Sequence, residues 1–310
     1  MNSRPTPAGR DRSEVAGPAP AAASTGEVPR LVVMTAMEEE AVALRGLLER
    51  PVERMVGRVG ITSGTLGGAE VSLVATGIGK VAAAAAATTA ILVLQPALLT
   101  VVGLAGSLSA GAPPGTLVVA TDAVQHDFDL RPLMERRGEL PQIGAVSLAA
   151  HAPAVEVLEG CCRSALGCSD VGISDDEPPG EGSFRRGSFE DGSFGAGPFG
   201  AGSVIRGRVL SGDQIVADEA VKAELAGEFV NARCVDMETA AVAQVAEGHA
   251  TPWCAVRLVS DFADESFDVA DVLGYCADVG AALMATAVSR FATQWRTGWR
   301  EMVGAPNGRP

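Results

Sequence analysis

The chain has 310 residues, of which 47% are hydrophobic, and a formal charge of −14, so it has ample material for a core. With no basic stripe to displace counterions, this balance argues against a nucleic-acid or anionic-membrane partner. The most apolar stretch, Val81 to Leu108, is broken by Thr88, Thr89, Gln95 and Pro96 before it reaches membrane-spanning length.

The first 29 residues are rich in Pro, Ala, Ser and Arg, lack an apolar signal core, and read as a disordered tail. Leu31 to Thr35 is a short apolar strand, and Met37-Glu38-Glu39-Glu40 turns into a helix running to about Arg50. Acids at a helix start suit the dipole, so capping alone accounts for these three. Gly57 to Leu66 and Glu70 to Thr76 read as a strand pair around Gly67-Gly68. Gly77-Ile78-Gly79-Lys80 then opens an alanine-rich helix over Ala82 to Leu94. It is not a dinucleotide fingerprint, since no Asp or Glu occurs between Gly77 and Thr121, and it lacks the P-loop spacing. Its glycines are expected to let the helix pack closely on a sheet.

Leu98 to Leu104 is a buried strand ending in Ala105-Gly106-Ser107, without the GxSxG of a serine-hydrolase elbow. Thr116 to Val124 is another, ending at Gln125-His126-Asp127-Phe128-Asp129. There an Asp-capped turn or a subunit contact outweighs a metal site, because three ligands within four loop residues is a weak pattern. Ser147 to Leu166 reads as a helix. From Ser169 the composition turns to Gly, Ser, Asp, Glu and Pro, with Phe184, Phe189, Phe194 and Phe199 at five-residue spacing. This is a flexible insertion at 169–203 within one domain that spans 30–297, followed by a C-terminal tail at 298–310.

Val204 to Leu210 resumes the sheet, ending at Ser211-Gly212-Asp213, and Ala217 to Phe229 is a helix. A short apolar run then reaches Asp236-Met237-Glu238, from which an alanine-rich helix departs. An acid there, facing unpaired backbone N–H groups, is expected to stay ionised. Taken alone, Asp236 reads as a helix cap and Glu238 as a solvated first-turn acid. Trp253 to Val259 is a strand ending in Ser260-Asp261, and one amphipathic helix follows from about Val269 to Trp295. Strands alternating with helices give a single α/β domain. The six cysteines form no CxxC pair and read as reduced thiols of a cytoplasmic protein.

Three acids distant in sequence, Glu40, Glu238 and Asp261, thus sit at strand ends or the first turns beyond them. In an open α/β fold such positions converge on one crevice. Cleavage of an N-ribosidic bond needs an acid for the leaving group and a base for water. A third carboxylate suits the ribose hydroxyls and the developing cation.

Six ordered blocks carry a resemblance: Ala36-Met37-Glu38-Glu39-Glu40, Thr76 to Val81, His126 to Asp129, Val209 to Asp213, Val235 to Ala240 and Val259 to Asp264. Together they resemble the 5′-methylthioadenosine/S-adenosylhomocysteine nucleosidase family, within the purine nucleoside phosphorylase/uridine phosphorylase fold, over roughly Leu31 to Phe291. The resemblance implies a mixed central sheet flanked by helices, and hydrolysis of a 5′-substituted adenosine without metal or organic cofactor. It implies Glu40 as the base for water with Arg257 nearby, and Asp261 as the acid for purine N7, oriented by Ser260. Glu238 and Met237, beside Asp236, would hold the ribose. Met37, Ile78 and Val216 would line the pocket and Phe267 would face the 5′ substituent. Leu130, Leu133 and Pro141 would be the wall that a partner subunit contributes in a homodimer. Two positions depart from the family: Leu104 replaces a small hydroxyl residue, and Ile215 replaces a purine-stacking Phe.

A phosphorylase is the nearest alternative, but a carboxylate at Glu40 is unfavourable beside a phosphate. A non-catalytic nucleoside-binding protein would be favoured by loss of one of the three acids, and none is lost. A metal-dependent nucleoside hydrolase would need an Asp-rich cluster near the N-terminus, which is absent.

Overall fold

The computed structural model describes residues 28–167 and 202–304. The tail at 1–29 up to residue 27, the Phe-repeat insertion up to residue 201, and residues 305–310 lie outside them. The strands are β1 (Leu31–Thr35), β2 (Glu49–Val56), β3 (Val59–Leu66), β4 (Ala69–Ala75), β5 (Leu98–Ser107), β6 (Leu117–Gln125), β7 (Leu148–Ala149), β8 (Val204–Ser211), β9 (Ala232–Asp236) and β10 (Trp253–Asp261). The helices are α1 (Glu38–Leu47), α2 (Lys80–Leu94), α3 (Ala152–Ala165), α4 (Glu219–Glu228), α5 (Thr239–Gly248), α6 (Val269–Tyr275) and α7 (Ala281–Val303), with a π-turn at Cys276–Gly280 joining the last two.

One mixed sheet runs β2-β3-β4-β1-β5, and at β5 it closes on itself through β10, β6, β8 and β9. β5 pairs parallel with β1 and β10 but antiparallel with β9 at Gly106 and Ser107. The sheet is therefore partly closed, where the sequence suggested an open one. Strands β1, β5 and β10 are buried almost throughout, as their near-continuous apolar runs require when both faces are covered. One apolar cluster packs Leu44 of α1, Leu158 of α3 and Phe291 and Trp295 of α7. The other packs Ala83, Ala86, Ala87 and Ala90 of α2 against Val242 and Ala246 of α5. The parallel strands β4, β1, β5 and β10 present their carboxyl ends to one edge, where such folds place ligands. Among the described residues, no helix is long and apolar enough to cross a membrane.

Several boundaries differ from those read in the sequence. The first helix ends at Leu47, and Glu49–Val56 forms an edge strand against β3. Pro51 disfavours helix before it, and exposed residues along β2 hide the strand from any apolar pattern. Leu148–Ala149 pairs with β6, and the helix expected from Ser147 starts at Ala152, with Pro153 in its first turn. The helix expected from Ala217 starts at Glu219, capped by Asp218, whose side chain accepts the Ala220 and Val221 N–H groups. The final helix is interrupted by the π-turn and runs to Val303, with Trp299 and Met302 buried, so the folded part extends past 297.

Candidate active site

Glu40 stands in the first turn of α1, directly after β1, and is 2% exposed. Its Oε2 accepts the backbone N–H of Ala36 (2.8 Å) and of Met37 (3.0 Å), reaching back to the helix start as a capping box does. Its Oε1 accepts the Leu104 N–H across the gap to β5, at 2.9 Å. Burial pushes its carboxyl above the ordinary range, against the opposing pull of Arg257 and these three N–H groups. At this first-turn acid desolvation outweighs the favourable field of the helix terminus.

Asp236 ends β9 and Glu238 immediately precedes α5, and both are buried. Arg257, at 1% exposure, places Nη2 2.6 Å from Asp236 Oδ2 and 3.6 Å from Glu238 Oε2. Asp236 also accepts the hydroxyls of Ser211 and Thr239 and the Thr239 N–H at 3.2 Å. Its oxygens are thus filled by protein donors. Asp236 thereby holds Arg257 and the start of α5, and it also lines the cavity that the three acids share. Thr239 completes the arrangement by accepting Arg257 Nε at 3.0 Å.

Glu238 accepts the Gly79 N–H at 2.9 Å and is buried, not the solvated first-turn acid that its position alone suggested. Its pKa is raised to about 7, first by burial, with Asp236 and Glu40 adding to the push and Arg257 opposing it. One buried guanidinium, Arg257, faces three carboxylates, those of Asp236, Glu238 and Glu40.

Asp261 is the last residue of β10. A register shift between Val259 and Asp261 opposite Gly106 marks a bulge, a device that re-aims a side chain at a sheet rim. Gly106 makes the room: a Cβ there would lie 3.0 Å from Asp261 Oδ1. The carboxylate accepts the Ser260 hydroxyl at 2.8 Å and the Ala263 N–H at 2.9 Å. Burial raises its pKa, the two hydrogen bonds opposing. Such a group holds a proton more readily than an ordinary aspartate.

All three acids line one cavity of about 720 Å³, within the range of small-molecule sites. Ser260, Met37, Ile78 and Leu104 line it too, as do Ile215, Val216, Met237 and Phe267. Arg257 stands behind Glu40 and Glu238 and is not in its wall. Leu130, Leu133 and Pro141 lie outside it, Leu133 being 81% exposed. Leu104 serves Glu40 through its backbone N–H, which any residue supplies, while its side chain packs in the core.

Sequence reasoning missed Ser211 and Thr239 as the holders of Asp236. It also missed Val269, Val272 and Leu273 of α6, which line the cavity at helical spacing. Gly77 and Gly79 have φ of 76° and 94°, so they are needed for backbone conformation and not for packing on the sheet. Near His126, Asp129 accepts the Arg131 N–H, which is turn chemistry, while Asp127 accepts the N–H of the sequence-distant Asp213. Among the described residues, no group of His, Cys, Asp or Glu could hold a metal ion.

Gly103 was also missed. A Cβ there would collide with Arg257 Nη1 and lie 2.5 Å from Glu40 Oε1. Gly103→Ala should therefore lower kcat/KM by at least about 100-fold, by pushing the two charged groups apart. Steady-state kinetics on the purified, folded variant checks this; wild-type values would show that neither group needs its position.

The sequence matches the model of the Phosphorylase superfamily over residues 30–292. It is 28% identical over 246 residues to the 5′-methylthioadenosine/S-adenosylhomocysteine nucleosidase of Bacillus licheniformis, covering 77% of this chain and 89% of that protein. Among solved structures, the nucleosidase of that name from Neisseria meningitidis, in complex with methylthio-immucillin-A, superposes with a TM-score of 0.70 at 27% identity. That match covers 86% of this chain and 99% of the other. Futalosine hydrolase of Helicobacter pylori, at 24% identity and a TM-score of 0.67 over 85% of this chain and 97% of its own, shares the fold. By sequence model and by the architecture around its cavity, the chain belongs to the phosphorylase superfamily.

Proposed function

We propose that this protein hydrolyses the N-glycosidic bond of a 5′-substituted adenosine, releasing adenine and the 5′-substituted ribose. The observation that carries the reading is the meeting of Glu40, Glu238 and Asp261 in one largely apolar cavity. Asp261, its pKa raised, donates a proton to purine N7 as the bond to ribose lengthens, with Ser260 orienting it. Glu40 takes a proton from the attacking water, with Arg257 beside it. Glu238 accepts the ribose 2′- and 3′-hydroxyls, Met237 packs on the sugar, and the two charges favour the oxocarbenium-like transition state.

Ile78, Ile215 and the Val216 backbone line the purine site, and Phe267 faces the 5′ group. A homodimer in which Leu130, Leu133 and Pro141 reach the neighbouring copy's cavity fits the exposure of Leu133 and their place outside their own cavity. A cytoplasmic setting fits the five unpaired cysteines among the described residues.

Water is favoured over phosphate as nucleophile because no Lys or Arg stands in the cavity wall, while Glu40 does. The test is incubation with 5′-methylthioadenosine, S-adenosylhomocysteine, 5′-deoxyadenosine and inosine, with and without phosphate. Free adenine released at a phosphate-independent rate is the expected result. Release that requires phosphate, or retention of nucleoside without release, would overturn the proposal.

The pKa of Glu238 sets a pH limb. Only the carboxylate accepts both hydroxyls, so kcat/KM should rise about tenfold per pH unit up to about 7 and then level. A pH profile that is flat from about 5 to about 8 would contradict the role. Stability runs the other way. The folded state holds this proton above the group's ordinary pKa of 4.5, so the group's contribution is full below 4.5 and is lost as pH rises through about 7.

A further inference from the structure

Three charged residues outside the cavity wall bind one another at the strand ends. Lys80, the first residue of α2, donates its backbone N–H to Asp213 Oδ1 at 2.7 Å. Its Nζ reaches Asp127 Oδ1 at 2.6 Å and Gln125 Oε1 at 3.3 Å. Asp127 Oδ2 in turn accepts the Asp213 N–H at 2.9 Å. The circuit is closed and joins the turn after β4, the end of β6 and the end of β8. Both side chains of the ion pair are largely shielded, at 16% and 25% exposure, so solvent screens it only partly.

Each arm of the circuit leads into the cavity. One residue before Lys80, Gly79 donates its N–H to Glu238; before it, Gly77 and Ile78 line the wall. One residue after Asp213 begins Gln214-Ile215-Val216, the wall opposite. Gly79 lies against the circuit as well, since a Cβ on it would sit 3.1 Å from Asp213 Oδ1. We propose that Lys80, Asp127 and Asp213 form a positioning clamp that fixes the Gly77–Gly79 turn against the 214–216 loop and aims the Gly79 N–H at Glu238. The clamp thereby sets the affinity for the ribose hydroxyls. The proposal rests on the reading of Glu238 as their acceptor.

The clamp touches no reacting atom, so its effect belongs in KM and in sugar recognition. The test compares wild type, Lys80→Met and Lys80→Arg on 5′-methylthioadenosine and on its 2′-deoxy analogue. K80M should raise KM for the ribonucleoside about tenfold, as for loss of a charged hydrogen bond, with kcat within about threefold. For the 2′-deoxy substrate, which already lacks one of the hydroxyls, KM should change less than about threefold, so discrimination between the two collapses. K80R, which keeps the cation, should return KM to within about threefold of wild type.

Equal loss on both substrates, or no rescue by K80R, overturns the clamp, because a merely structural role predicts those results. If wild type releases no adenine from the ribonucleoside, the functional reading fails and the clamp with it. Should K80M not fold, Asp127→Asn removes the same ion pair while leaving an acceptor for Asp213, and the same outcomes decide.

Discussion

Asp261→Asn should lower kcat on 5′-methylthioadenosine about 10³-fold, equivalent to about 4 kcal/mol of transition-state stabilisation, while leaving nucleoside affinity nearly unchanged. Adenine leaves poorly as an anion, so the bond breaks readily only if N7 receives a proton. Asp261 is built to hold one: it is mostly buried, and its pKa is raised chiefly by that burial. An asparagine has the same shape, and its amide oxygen still accepts the Ala263 N–H that Asp261 accepts now. The amide has no acidic proton to give. A ribosyl substrate whose leaving group departs without protonation, such as a p-nitrophenyl riboside, should consequently be cleaved by the variant at close to the wild-type rate. Comparing kcat for the two substrates makes the measurement. Near-normal adenine release would remove Asp261 as the acid, and equal loss on both substrates would point to a distorted site.

The acids themselves were legible in the sequence because strand ends in an alternating α/β chain are few, and Glu40, Glu238 and Asp261 each follow a strongly apolar run. Their electrostatics were not. A carboxylate at a helix start is expected to stay ionised, but burial depends on what closes over it, and here the β5–β9 pairing brings the end of β9 to β5 while Glu40, Asp236 and Glu238 are all buried near one guanidinium, Arg257. That pairing joins residues far apart in the chain and leaves no local signal.

The role of Asp236 was hidden for the same reason. Its partners Ser211 and Arg257 come from other strands, so only the fold reveals that its oxygens are taken. Strand β2 escaped because an exposed, charged edge strand with a proline carries no apolar alternation.

Glu40→Gln puts the water-activating role to a sharper trial, because it should move two quantities in opposite directions. Loss of the base should lower kcat by about 10²–10⁴-fold. The amide can still accept the Ala36 and Met37 N–H groups through one oxygen, but it then turns its NH₂ towards the Leu104 N–H, a donor facing a donor. Hydrogen bonding therefore does not restore the site, and the fold, held elsewhere by its two apolar clusters, should persist.

At the same time one of three carboxylates around Arg257 becomes neutral. Burial is the main reason Glu238 titrates near 7, and the charge of Glu40 adds a smaller push that the variant removes. The pKa of Glu238 should fall, and nucleoside binding at about pH 6 should become tighter even as turnover is lost. Equilibrium binding of a 5′-substituted adenosine across pH, measured beside single-turnover rates, reads both effects. Turnover within tenfold of wild type would show that water is activated by another group. A binding profile unmoved on the pH axis would show that the carboxylates do not share Arg257 as the geometry requires.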